Sequence, residues 1–449
     1  MFTVASCKKQ DDWLNAKSKI SDVTPKTLQD FQAILDNTNV MNSNGSIMGL
    51  IGSDNIYIPD ANLDGTDQTS KNAYLWAKDI YQGATATDWY FSYTVVEYCN
   101  IVLDGLEKLT NTSPLNSYNN IRGSALFYRA YAFYQLCQLY CKPYVQSTAS
   151  VDLGIPIRLS SDVNIKSVRA SIQESYTQII NDLKTSIALL PQLPLYKTRP
   201  SSVAANALLA KVYLSMSDFN NAYTYADVAL KSYGTLLNYN TLAIGKTNPF
   251  PTFAKGHPEI IFFASAQGFN SIIGLPRAKA RIAPDLYESY ETGDLRKMAF
   301  FIADGSTGLY SFKASYTAQA YDFCGLATDE LYLIRAECLT RKGSISAALA
   351  DLDLLLKNRY TPSTFSAIVT SDQAILLNRV ILERRKEMPY TGNIRWDDLK
   401  RLNLEIQFTK SLARTYHGTL YTLPANDARY VLPLPNDEIQ LNDLQQNIR

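Results

Sequence analysis

The sequence predicts a mainly α fold: four helical pairs form a scaffold, and a loop-rich, partly irregular part carries a few short strands. Three observations lead there. Glycine supplies only 20 of 449 residues, below the usual share of roughly 7 %, which favours regular helix over many tight β-turns. Apolar residues recur at three- and four-residue steps over long stretches, as on one buried face of a helix. Two segments share a spacing of small residues: Ala210, Ala222 and Ala229 step by 12 and 7, and so do Ala336, Ala348 and Leu355.

In chain order, Val4-Ala5-Ser6-Cys7 has the shape of a bacterial lipoprotein cleavage site. The apolar run before it is shorter than the roughly 7–15 residues of a signal, and the alternative is an incidental thiol. No run approaches ~18 uninterrupted apolar residues, so no spanning helix is expected. Residues 40–75 are polar and carry the turn formers Asn42, Asn44, Gly45, Asp60, Asn62, Asp64 and Gly65. Leu126, Ala130, Phe133, Cys137 and Tyr140 share one face of a helix within 122–144. Ile172, Tyr176, Ile179, Ile180, Leu183 and Leu190 mark a second, closed by Pro191. The two matched segments each break in the middle, at Ser217-Asp218 and at Lys342-Gly343-Ser344. Small residues at those steps let antiparallel helices approach closely, which is the tetratricopeptide-like pattern with a unit of ~34 residues. Pairing 122–144 with 171–190, and 372–388 with 396–406, makes four units. Residues 235–325 mix short strand-like runs such as 259–263 with Pro, Gly and Tyr, and 407–435 read as loop and short strand. Long irregular stretches on a helical scaffold are where function usually sits.

Composition excludes several function classes. Lys plus Arg is 43 against 42 Asp plus Glu, a net charge of +1, so no nucleic-acid partner is expected, because phosphate binding needs uncompensated cations. The two histidines, His257 and His417, are far apart, which argues against a His-rich metal site or a His-based triad. Cys137 and Cys141 fall on one helix face and read as small buried hydrophobes. Gly245-Lys246-Thr247 resembles the end of a phosphate loop, but Asn240 stands where its first Gly belongs. No HExxH, GxSxG or CxxC pair occurs. Asp60-Ala-Asn62-Leu-Asp64-Gly65 matches the first half of a calcium loop, but Lys71 occupies the twelfth position, where Glu belongs. A solvated turn is the favoured reading, with calcium at Asp60, Asn62 and Asp64 as the alternative and no other cofactor expected. The charges of 383–387 and 395–401 read as ion pairs that, with Trp396, clamp the last helices together.

Along nearly its whole length the chain resembles the SusD/RagB family of outer-membrane nutrient-binding lipoproteins of Bacteroidetes. The matching pieces come in the family's order. The first are Cys7-Lys-Lys, Tyr98-Cys-Asn100-Ile-Val-Leu, Arg122 with the run 127–136, and Gly154-Ile-Pro156-Ile-Arg158. Next come Arg169-Ala-Ser-Ile172 with Tyr176 and Asp182-Leu183, then Ala204-Ala205 through Ala210-Lys-Val-Tyr213, and Asp294-Leu-Arg296. The last are Leu331 to Glu337, Glu383-Arg-Arg, Arg395-Trp396 to Arg401, and Leu432-Pro-Leu-Pro435 with Glu438-Ile439 and Gln446-Asn447. The resemblance implies a lipid anchor at Cys7 with a tether over 1–20. It implies one domain over 21–449, with an N-terminal part 21–232 and a C-terminal part 233–449. It implies a surface protein that caps a SusC-like TonB-dependent barrel transporter in the outer membrane, binds a glycan or in some members a peptide, and does no chemistry. The sequence departs from the family in its short signal front and at Met388-Pro389. Ligand residues vary within the family and sit in loops, so none transfers by motif.

The candidate site therefore rests on position. Aromatic plates stack on sugar rings while polar neighbours bond hydroxyls. Aromatics outside the repeats, in segments rich in turn formers, are Tyr57, Tyr74 and Trp76 in one region and Tyr310, Tyr316 and Tyr321 in another, with Asp64, Asn72 and Lys313 as polar partners. Trp76 leads, as the largest plate among polar neighbours, and its loss should spare stability. A surface glycoside hydrolase and a peptide-binding protein are the alternative functions.

Overall fold

The computed structural model describes residues 25–449 apart from 44, 110–114, 253–255, 267–271, 273–278 and 306. Cys7 and the tether lie outside the described residues. Among these, 17 α-helices and 12 short strands alternate along the chain. Among the described residues no helix is long and apolar enough to cross a membrane.

The N-terminal segment holds α1 (Leu28–Leu35), α2 (Thr38–Met41), α3 (Met48–Gly52), β1 (Ile56–Tyr57), α4 (Asp60–Asp64) and α5 (Gln68–Tyr74). Long helices follow: α6 (Thr87–Glu107), α7 (Leu115–Tyr140), then β2 (Leu153–Pro156), β3 (Arg169–Ser171) and α8 (Ile172–Leu189). α9 (Ser202–Ser215) and α10 (Phe219–Ser232) form the next hairpin. Starts are set locally: Ser171 and Glu174 make a reciprocal cap on α8, and Ser201 and Asp218 cap α9 and α10. α7 lies against both α6 and α8, and Arg129 on α7 meets Asp182 on α8 at 2.8 Å.

A more irregular stretch carries β4 (Ile260–Phe262), β5 (Ser265–Ala266), β6 (Arg281–Ile282), α11 (Pro284–Glu288), α12 (Leu295–Phe300), β7 (Phe301–Ala303), β8 (Tyr310–Phe312), β9 (Asp322–Phe323) and β10 (Leu326–Ala327). The C-terminal part runs through α13 (Thr328–Arg341), α14 (Ile345–Lys357), α15 (Gln373–Glu387), α16 (Ile394–Leu402), β11 (Leu412–Tyr416), β12 (Thr419–Leu423) and α17 (Asn436–Asn442). All strands pair two by two and antiparallel: β1–β6, β2–β3, β4–β10, β5–β9, β7–β8 and β11–β12.

The small-residue seams lie where helices touch. Ala210, Ala222, Ala229, Ala336, Ala348 and Leu355 are each 0 % exposed, and α9 packs on α10 as α13 packs on α14. The breaks are equivalent too: Ser217 and Gly343 adopt positive φ of 58° and 78°. The fourth expected pair differs. α15 packs chiefly on α13, and α16 packs on α3. A buried ion pair, Arg384 to Asp398 at 2.9 Å, still links α15 to α16.

That pair belongs to a wider charged interior. Arg296 meets Asp294, Glu383 and Glu387 at 2.7, 2.6 and 2.9 Å. Arg359 joins Glu387 to Glu259 at 2.6 and 2.7 Å, and Lys386 reaches Asp294 and Glu383 at 3.1 and 3.0 Å. Every side chain in this group is fully buried. A second group joins Arg401 to Glu337 and Asp398, and Arg384 to Glu330.

The first and last parts of the chain are sewn together. Asn393 accepts from the backbone of Gly49, Asn55 donates to the Pro389 carbonyl, and Trp396 lies directly on α3. A Cβ on Gly49 or Gly52 would fall 2.8 or 2.9 Å from Trp396, so these two positions admit only glycine.

Candidate functional site

A cavity of about 450 Å³ opens where three segments meet. The N-terminal segment contributes Asp54, Ile56, Tyr57, Tyr74 and Trp76; the start of α11 contributes Ala283, Pro284 and Asp285; and residues 410–415 close it with β11. The β1–β6 ladder places Tyr57 opposite Arg281 and so fixes one wall against another. The β11–β12 hairpin turns at His417-Gly418, both with positive φ, as a two-residue turn needs.

Three of the expected aromatics meet here, but two are wall and not open plates. Trp76 is 2 % and Tyr74 3 % exposed. The Trp76 indole donates to the Gly52 carbonyl at 2.8 Å, and the Tyr74 hydroxyl accepts from the Ile58 amide at 2.9 Å. Arg414 covers both rings, its guanidinium 3.6 Å from the Tyr74 centroid and 4.4 Å from that of Trp76. It is held there by the carbonyls of Tyr74, Ser53 and Ile51. Trp76 also sits at φ 54°, a strained backbone for a large residue. Tyr57, 37 % exposed, is the plate that faces out.

The other expected residues are dispersed. Asn72 is buried, donating to the Ile80 carbonyl and accepting from Gln68. Tyr316 is core: its hydroxyl lies within hydrogen-bond distance of the Glu259 and Asp329 carboxyls, at 2.7 and 2.8 Å, and its ring packs on His257. Lys313 is buried and ties down the carbonyls of Ile244 and Lys246. These three positions, with Tyr74 and Trp76, correct the expectation of open binding residues, because chain from distant segments covers them. Tyr310 is half-buried and stacks on Tyr287 at 3.6 Å between centroids, on a strand that lies beside β6. Tyr321 is half-buried, away from the residues that line the cavity.

Asp60, Asn62 and Asp64 lie on helix α4, where an open calcium loop would have been irregular. Asn62 donates to the Lys279 carbonyl. Asp64 accepts from Tyr416 at 2.6 Å and contacts the His417 ring at 2.9 Å, and Asp60 accepts the His417 amide. Those hydrogen bonds from Tyr416 and His417 hold the Asp64 carboxyl below its usual range. Among the described residues no three His, Cys, Asp or Glu side chains gather as metal ligands. The carboxylates instead latch the hairpin tip to α4.

The residues missed from sequence are charged. Asp54 receives Arg395 at 2.6 Å, Lys410 at 2.7 Å and Arg385 at 3.4 Å. Burial alone would raise its carboxyl, but Arg395, Arg385 and Lys410 outweigh that and hold it well below the ordinary value. Asp285 pairs with Arg385 at 2.9 Å. Burial pushes the Arg414 guanidinium down to about 10. In sequence, residues 407–435 read only as loop and short strand, and nothing there places Arg414 over Trp76.

Comparison with known proteins follows this geometry. A family described as starch-binding and associating with the outer membrane matches residues 12–214, and the SusD family matches residues 315–448. The SusD-like protein P2 of Formosa agariphila is 23 % identical over 491 residues, covering 93 % of this chain and 91 % of that protein. A solved SusD superfamily protein from Bacteroides thetaiotaomicron superposes with a TM-score of 0.74 at 21 % identity, over 94 % of this chain and 100 % of that one. A solved SusD-like carbohydrate binding protein from Bacteroides vulgatus gives 0.72 at 19 %, over 93 % and 97 %. At these identities the likeness to solved structures is one of fold.

Proposed function

The chain belongs to the SusD family, and on that premise we propose that it is a cell-surface binding protein that captures nutrient oligosaccharides at the cavity behind β11 and hands them to a TonB-dependent outer-membrane transporter. The meeting of Tyr57, Tyr74 and Trp76 with Arg414 and Lys410 around one open cavity is the observation that carries this reading. Aromatic faces receive the apolar faces of sugar rings, and charged groups beside them bond hydroxyls. The starch-binding description of the matching family and the carbohydrate-binding relative from Bacteroides vulgatus support a glycan as ligand.

The carboxylates support capture without cleavage. A glycosidase needs one carboxyl kept protonated near neutral pH opposite a second that is free to act. In this cavity Asp54 is held ionised and Asp285 is committed to Arg385.

Titrating the protein with a panel of oligosaccharides and of peptides, by calorimetry, tests the reading. A glycan is expected to bind and to be recovered uncleaved. Tyr57→Ala should weaken that binding about tenfold, the loss of one stacked ring at about 1–2 kcal/mol, with the melting temperature unchanged. Binding confined to peptides, or an affinity indifferent to Tyr57, would refute it. Acylation at Cys7 is the anchoring step of this function. In a gene with a complete signal, Cys7→Ala should move the protein out of the outer-membrane fraction, and unchanged partition would refute the anchor.

A further inference from the structure

We propose that the cavity behind β11 selects glycans that carry negative charge, as uronate carboxylates or sulfate esters, and that Arg414 is the group that receives the anion. This rests on the oligosaccharide-binding reading above and adds the charge of the ligand.

The charges around the cavity do not balance. Its two lining carboxylates, Asp54 and Asp285, face four cations: Lys410 and Arg414 in the lining itself, and Arg385 and Arg395 behind the wall. Asp54 engages Arg395, Arg385 and Lys410; Asp285 engages Arg385 at 2.9 Å and Lys410 at 3.7 Å. Among the described residues no carboxylate lies within ion-pairing distance of Arg414. Its partners are the carbonyls of Tyr74, Ser53 and Ile51 and the faces of Tyr74 and Trp76. Carbonyls and ring faces orient a guanidinium without cancelling its charge. Asp398, which acts on Arg395, is itself paired with Arg384 and Arg401; Asp60 and Asp64 are taken by His417 and Tyr416 at the hairpin tip, and Lys71 sits 4.8 Å over the Tyr416 ring.

Two positive charges are therefore left over beside an aromatic-walled opening. A neutral sugar would leave them uncompensated. A carboxylate or sulfate on the ring can accept from an N–H of Arg414 that the three carbonyls leave free, with Lys410, its side chain 41 % exposed, as the second cation at the rim.

The test uses the full-length protein and four probes. These are oligogalacturonate and its carboxyl-reduced form, and an oligosaccharide of a sulfated galactan and its desulfated form. Each is titrated by calorimetry at low and high salt. At least one anionic probe is expected to bind about tenfold or more tightly than its neutral counterpart, and the advantage should shrink with salt. Which of the two does so separates carboxylate from sulfate. Arg414→Gln should remove most of the difference. Because Arg414 also holds three backbone carbonyls, Lys410→Gln is made in parallel and should reduce the preference by a smaller factor. Neutral forms binding as tightly as charged ones, or a preference that survives both variants, overturns the charge selection alone. Failure of every glycan, charged or neutral, overturns the oligosaccharide reading with it.

Discussion

Arg296→Met should destabilise the fold by about 3–5 kcal/mol, the cost of leaving buried carboxylates without their cation. Asp294, Glu383 and Glu387 all lean on this one guanidinium, and none reaches water. Lys386 and Arg359 stay behind but already serve the same acids. Arg296→Lys keeps the charge and loses the fork, so its denaturant midpoint should fall between wild type and Arg296→Met. Chemical denaturation followed by circular dichroism measures both, and a midpoint unchanged in Arg296→Met would refute the network's role. The same architecture sets the acid limit. Burial alone would raise the carboxyls of Asp294, Glu337 and Asp398, but Arg296 with Lys386, Arg401 with Arg341, and Arg384 with Arg401 hold each below its ordinary value. Depressed carboxyls add stability above their unfolded pKa and lose it as pH falls through the folded value, so the contribution of these three should be lost below about pH 4.

Trp76→Ala should cost about 3–5 kcal/mol, as large-to-small changes in a packed interior do. The substitution empties the space beneath Arg414 and removes the donor to Gly52. Sequence reasoning favours the reverse, a surface plate whose loss spares stability. A melting temperature well below wild type, with affinity per folded molecule altered less than in Tyr57→Ala, would show the residue as wall. An unchanged melting temperature would restore it as an open plate.

The difference between those two readings of Trp76 shows what the sequence can carry. Ala210, Ala222 and Ala229 were legible because close helix packing demands small residues at fixed steps, and a step is visible in one dimension. The clamp at 383–387 was legible as ion pairs, since charges of both signs stand together there and again at 395–401 beside Trp396. Its partners Arg296, Arg359 and Glu259 were not, since no spacing links them. The site failed for a related reason. Turn formers near Trp76 report how the local backbone bends and are silent on what covers it. What covers it is Arg414, whose hydrogen bond to Tyr74 spans 340 residues. Tyr57 has no such cover and stays exposed.

The stitching of α3 and Asp54 to residues 389–414 bears on when the fold can close. Synthesis delivers residues 48–76 first. The groups that satisfy them come last: Asn393 for Gly49, Arg395 and Lys410 for Asp54, and the Arg414 plane for Trp76. Until residues 389–414 exist, Gly49, Asp54 and Trp76 lack the partners that hold them. The stitch between the two regions therefore closes only after residues 389–414 have been made.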